Sequence, residues 1–118
     1  MKKIIFVKAH GTMDDAKKYM YNVAHRLEEL GVQRIKCWSL SLVLETPHVK
    51  CRFISGDDFF IRPQQYQGLT GDEFFWFGDY GMLYVRRKDN GTEPYKGSVL
   101  DYIVEMEKEA VENGGQND

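Results

Sequence analysis

Lys2 to Gly31, KKIIFVKAHGTMDDAKKYMYNVAHRLEELG, is the stretch on which the fold turns. Ile4-Ile5-Phe6-Val7 is an unbroken apolar, β-prone run bounded by charge. Such a run suits a central strand covered on both faces. Lys8 to Gly11 reads as a loop. Thr12 with Asp15 makes an approximate capping box, aspartate standing in for the usual glutamate, and predicts a helix from Met13. Ala16, Met20, Val23, Ala24, Leu27 and Leu30 recur at helical spacing and form one apolar stripe facing a sheet. Lys17, Lys18, Arg26, Glu28 and Glu29 occupy much of the other face. Gly31 stands where a left-handed helix C-cap is expected.

Outward from this β-loop-α unit, Arg34 to Trp38 and Leu40 to Glu45 read as two strands or one longer one. Thr46-Pro47-His48 supplies a turn. Val49, Cys51 and Phe53 then alternate with Lys50 and Arg52, a strand with one buried face. Ser41 to Glu45 and Val49 to Ile54 are therefore expected to pair as a β-hairpin. Gly56 to Gly71 is irregular, with Pro63 placed to begin one helical turn at Gln64-Gln65-Tyr66. Phe74-Phe75-Trp76-Phe77 is a second apolar run, and Met82 to Arg86 a further strand. Asp89-Asn90-Gly91 signals a turn. Ser98 with Asp101 forms a second capping box, and Leu100, Ile103, Val104, Glu107 and Val111 trace a C-terminal helix, polar at Glu107.

The expected fold is a single α/β domain over residues 1–112, with residues 113–118 a polar, glycine-rich, disordered tail. Its sheet is mixed, of about five strands, with the first helix on one face and the C-terminal helix packed nearby. A chain of 118 residues fits one domain. Hydrophobic residues at 42% and aromatics at 14% are enough for a core without disulfides.

The net charge is −2 and the basic residues are spread along the chain. The densest run, Arg86-Arg87-Lys88, reads as a strand end with a solvated turn, so nucleic-acid binding is not favoured. Cys37 and Cys51 lack metal-ligand spacing and read as buried thiols in a reducing compartment. The apolar run near the N-terminus is too short for a signal-peptide core or a membrane span, which predicts a cytoplasmic protein with no membrane contact.

Four groups carry candidate chemistry. Lys8, His10, Gly11 and Thr12 line the loop before the first helix, where free N–H groups would welcome an anion. Yet the loop has one glycine and no Gly-Lys-Ser/Thr, and Asp14 and Asp15 in the first helical turn repel anions. Asp57, Asp58, Asp72, Glu73 and Asp79 are acidic. Asp79, directly after an apolar strand, is the best placed of them. His10, His25 and His48 show no metal spacing, and His25 and His48 read as structural or surface residues. Phe59, Phe60, Arg62 and Tyr66 lie in the irregular segment and form a candidate partner-binding surface. No Ser-His-Asp, Cys-His or zinc pattern occurs, and no cofactor or metal is called for.

In the order of its elements the chain resembles a pared-down P-loop NTPase core of the terminase-like and helicase-like kind found in phages. The resemblance covers roughly residues 2 to 80. After the first strand, loop and helix it rests on TPHVKCRFISGDD (Thr46 to Asp58), RPQQYQGLTGDEFF (Arg62 to Phe75) and Phe74-Phe75-Trp76-Phe77-Gly78-Asp79. The phosphate-loop lysine and its following Ser/Thr are absent, and only Asp79 matches the family's acidic pair. The resemblance implies a phage- or mobile-element-encoded domain that kept the scaffold and lost nucleotide hydrolysis.

The expected function is a non-enzymatic binding protein that contacts another protein or itself. A small nucleotide-binding or metal-dependent enzyme using Lys8 to Thr12 with Asp79 is the second reading. A nucleic-acid-binding accessory protein is the third.

Overall fold

The structure, a computed structural model, describes residues 2–55, 72–77, 81–87 and 91–114. The chain leads from β1 (Lys3–Lys8) into α1 (Met13–Glu29), then β2 (Lys36–Trp38), β3 (Val43–Glu45) and β4 (Val49–Ile54). It continues through β5 (Glu73–Phe77), β6 (Leu83–Arg87) and β7 (Gly91–Pro94) to α2 (Val99–Gly114). No helix among the described residues is long and apolar enough to cross a membrane.

The strands form one mixed sheet in the order β2-β3-β4-β1-β5-β6-β7. β1 lies at its centre, parallel to β4 on one side and to β5 on the other. The outer strands are antiparallel to their neighbours. The apolar run Ile4 to Val7 thus occupies the position its composition demands, with Ile5 and Val7 buried on one face and Phe6 on the other.

Seven strands among the described residues exceed the five expected. The segment from Arg34 to Glu45 is a hairpin of two short strands, β2 and β3, with Leu42 at a φ of 54° between them. β7 is entirely exposed and ends in a proline, so it carries no apolar signal; it is held by pairing with β6 at the sheet edge.

Both helices pack on the same face. Ala16, Met20, Val23, Ala24 and Leu27 of α1 and Val99, Tyr102 and Ile103 of α2 share one core with Ile5, Val7, Leu44, Val49, Cys51, Phe53, Phe75 and Val85. Strand alternation sends Phe6, Ile54 and Phe74 to the opposite face, where they form a second, smaller cluster with Ile4 and Trp76. Leu30, expected to complete the α1 stripe, is instead 52% exposed. As the C-cap it lies beyond the last helical residue, so it no longer points at the sheet. A radius of gyration of 13.9 Å is that of one compact globule of this length.

Candidate functional site

The loop from Lys8 to Thr12 leaves β1 at its carboxyl end. Because β1 sits between β4 and β5, all parallel, the chain reverses its direction of strand addition there. In open α/β sheets this switch point is where ligands bind. The Ala9 N–H bonds the Ile54 carbonyl at 2.9 Å and the Ser55 hydroxyl donates to the Gly11 carbonyl at 3.0 Å, tying the loop to the end of β4. The His10 ring lies 5.1 Å from the Phe77 ring, and Tyr19 of α1 stands behind it, 6.0 Å from Phe77 and 5.4 Å from Phe53. Burial pushes the Tyr19 phenol up to about 12.

The α1 N-terminus is occupied from within. The Asp15 carboxylate accepts from the Thr12 N–H at 2.9 Å and from its hydroxyl at 3.0 Å, while the Asp15 N–H donates back to that hydroxyl at 3.2 Å. Bonds from the Thr12 backbone and side chain hold the Asp15 carboxyl below its usual range. Gly11 takes a φ of +83°, and a Cβ there would come within 2.3 Å of Asp15 Oδ2. An incoming phosphate would meet a carboxylate in this position. Asp79, the expected partner of this loop, lies outside the described residues, as do Asp57, Asp58, Phe59, Phe60, Arg62 and Tyr66.

The remaining acidic candidates have structural partners. Asp72 accepts from the Ile4 N–H at 2.8 Å and so fixes the start of β5 against β1. Glu73 is buried under α2, where the Tyr102 hydroxyl donates to it at 2.7 Å, with Lys3 Nζ at 3.7 Å and Arg87 Nε at 3.8 Å. His25 is exposed and lies 3.9 Å from Glu29. Among the described residues no group of three or more His, Cys, Asp or Glu side chains is placed to hold a metal ion.

Sequence reasoning missed a groove at the other end of the sheet. A cavity of about 620 Å³ opens between the end of α1, the turn from β3 to β4, and α2. Leu30, Val32, Pro47, Val104 and Val111 give it apolar walls, and Arg34 and Lys108 stand at its margin. Arg34 holds a φ of 58°, which a non-glycine residue adopts only under constraint. His48 is fixed inside by Glu107, whose carboxylate accepts from its backbone N–H at 2.8 Å and contacts ring Nδ1 at 2.7 Å. The one legible trace of this groove is the acid at position 107, in a helical stripe where an apolar residue is expected.

No protein-family model, curated protein or solved structure matches the chain.

Proposed function

We propose that this is a non-enzymatic binding protein, and that the groove between the ends of α1 and α2 is its protein-contact surface. The observation that carries the reading is the exposure of large apolar side chains at a concave site. Leu30 is 52% and Val111 74% exposed, above walls formed by Val32, Pro47 and Val104. Apolar surface gathered in a concavity, rather than scattered singly, is what partner sites present. The groove suits an apolar segment of a partner chain, and its charged lining is mixed, Arg34 and Lys108 beside Glu107 and Glu112. The resemblance to a P-loop core that has lost its phosphate loop supports a phage- or mobile-element origin and a scaffold retained for contact.

A photo-crosslinking residue at Val111 tests this, with the same residue at Thr92 on β7 as control. The expected result is one defined protein adduct, or a crosslinked dimer, from Val111 alone, lost when Leu30 is changed to Asp. Equal labelling from both positions would refute it.

The nucleotide-binding reading draws support from the position of Lys8, His10 and Gly11 at the switch point, and is opposed by Asp15 at the α1 amides. Its test is thermal stabilisation by ATP or GTP with Mg²⁺. Ligand at a hundredfold over its Kd adds about 2.7 kcal/mol to stability, and a shift of that size would displace the protein-contact reading.

A further inference from the structure

The basic residues that look scattered in the sequence are collected by the sheet. Register places Lys36, Glu45, Lys50 and Ile4 side by side on one rung, and Trp38, Val43, Arg52 and Phe6 on the next. Both rungs face away from α1 and α2, because Cys37, Leu44, Cys51 and Ile5 between them belong to the helix-side core. Lys36, Lys50 and Arg52 are exposed, and Trp38 is 43% exposed beside them. Lys36 lies about 7 Å from Trp38 along β2, and Arg52 about 10 Å from it across two strand spacings. Glu45 is the one carboxylate among these eight residues and is paired with Lys2; Asp72 lies on the other side of Ile4, bonded to its N–H.

The rest of the charge lies elsewhere. α2 holds Asp101, Glu105, Glu107, Glu109 and Glu112 against Lys108, a local net charge of −4. Since the whole chain carries −2, the remainder is +2. The modest acidity of the composition therefore conceals an acidic α2, while on the two rungs three cations, Lys36, Lys50 and Arg52, stand with Glu45. The potential around Glu45 reflects this. The Lys2 hydrogen bond, opposed by burial, and the nearby charges of Lys2, Lys50 and Lys36 hold its carboxyl below the usual range.

We propose that the β2–β3–β4 half of this sheet face binds single-stranded nucleic acid, with Lys36, Lys50 and Arg52 on phosphates and a base stacked on Trp38. Cations flanking an exposed aromatic ring on a sheet are the elements such sites use. A single strand fits better than a duplex, because an unstacked base presents the face that Trp38 can cover, whereas a duplex hides it. The site is independent of the groove, so either reading can fail without the other.

Fluorescence anisotropy with a labelled oligothymidylate of about 12 nucleotides tests the proposal. Binding is expected at low salt, weakening as salt rises with a log–log slope near −2 for three phosphate contacts at about −0.7 each. Lys50→Glu with Arg52→Glu should weaken binding at least tenfold and flatten the slope. Trp38→Ala should weaken it roughly fivefold to a hundredfold with the slope unchanged. Lys17→Glu with Lys18→Glu on α1 matches the charge change on the helix side and should leave affinity unaltered. All these positions lie at the surface, and matched thermal midpoints would establish that the variants fold. The proposal is overturned by absence of binding at low salt, by equal loss in the α1 variant, by duplex binding as tight as the single strand, or by anionic phosphatidylserine vesicles binding where the oligonucleotide does not.

Discussion

Glu107 of α2 holds His48 twice, through its backbone N–H at 2.8 Å and its ring at 2.7 Å, and so clamps the turn between β3 and β4 to the second helix. Burial works to raise the Glu107 pKa, but bonds from Thr46 and from the His48 side chain and backbone outweigh it, and the carboxyl sits below its ordinary value of 4.5. A carboxyl depressed on folding contributes stability that is present above that value and lost as pH falls through the lower, folded one. The urea midpoint should therefore fall on acidification below about pH 4.5. Glu107→Gln should cost about 1–3 kcal/mol at neutral pH and lessen the acid sensitivity. An unchanged midpoint for the variant at pH 7 would mean the clamp adds nothing.

Tyr102 gives Glu73 its hydrogen bond, and Glu73 Oε2 is buried with none among the described residues. Tyr102→Phe should cost about 1–3 kcal/mol, since it leaves a buried carboxylate without a donor. In a Glu73→Met background the same change has nothing to strand and its cost should shrink. A double-mutant cycle by urea denaturation is expected to give a coupling of about 0.5–3 kcal/mol. Additive losses would show the pair to be uncoupled.

Gly11 and Gly31 both adopt left-handed backbone, at φ +83° and +89°, but only Gly11 has a neighbour in the way. A Cβ at Gly31 meets nothing within 4 Å, whereas one at Gly11 strikes Asp15. Gly31→Ala should cost only the conformational penalty, about 1–2 kcal/mol. Gly11→Ala should cost more, with reduced helicity by circular dichroism as the cap loosens. Equal losses would indicate that Asp15 moves aside freely.

Cys51 is fully buried and its thiol is pushed well up by burial. Cys37 is half-buried, its thiol raised first by burial and then by Glu28. The thiolate is the reactive form. A disulfide reagent should therefore titrate Cys37 slowly in the native protein and reach Cys51 only on unfolding. Loss of the slow native phase in Cys37→Ser would complete the assignment; a fast second thiol would contradict the burial of Cys51.

Elements with strong local chemistry are legible in the residues themselves. The capping pairs Thr12–Asp15 and Ser98–Asp101 form as their spacing predicts, and the hairpin of β3 with β4 pairs as expected. β7 is not legible in this way, because Gly91-Thr92-Glu93-Pro94 has neither alternation nor β-branched weight beyond Thr92. Its pairing with β6 supplies what its composition lacks. Leu30 fits the apolar period of α1, yet the helix stops one residue short of it.

The sequence by itself determined the two helices and the apolar strands at the centre of the sheet, since caps, turns and periodicity act over a few residues. It also determined the capping box at the start of α1, because Asp15 is bound to lie three residues after Thr12. Only the tertiary structure decided which distant residues share a surface. Lys36, Lys50 and Arg52 become neighbours through the register of β2, β3 and β4, and Glu107 meets His48 across 59 residues of chain. Those relations follow from strand pairing and core packing, which sum over the whole chain and leave no local trace in the residues they join.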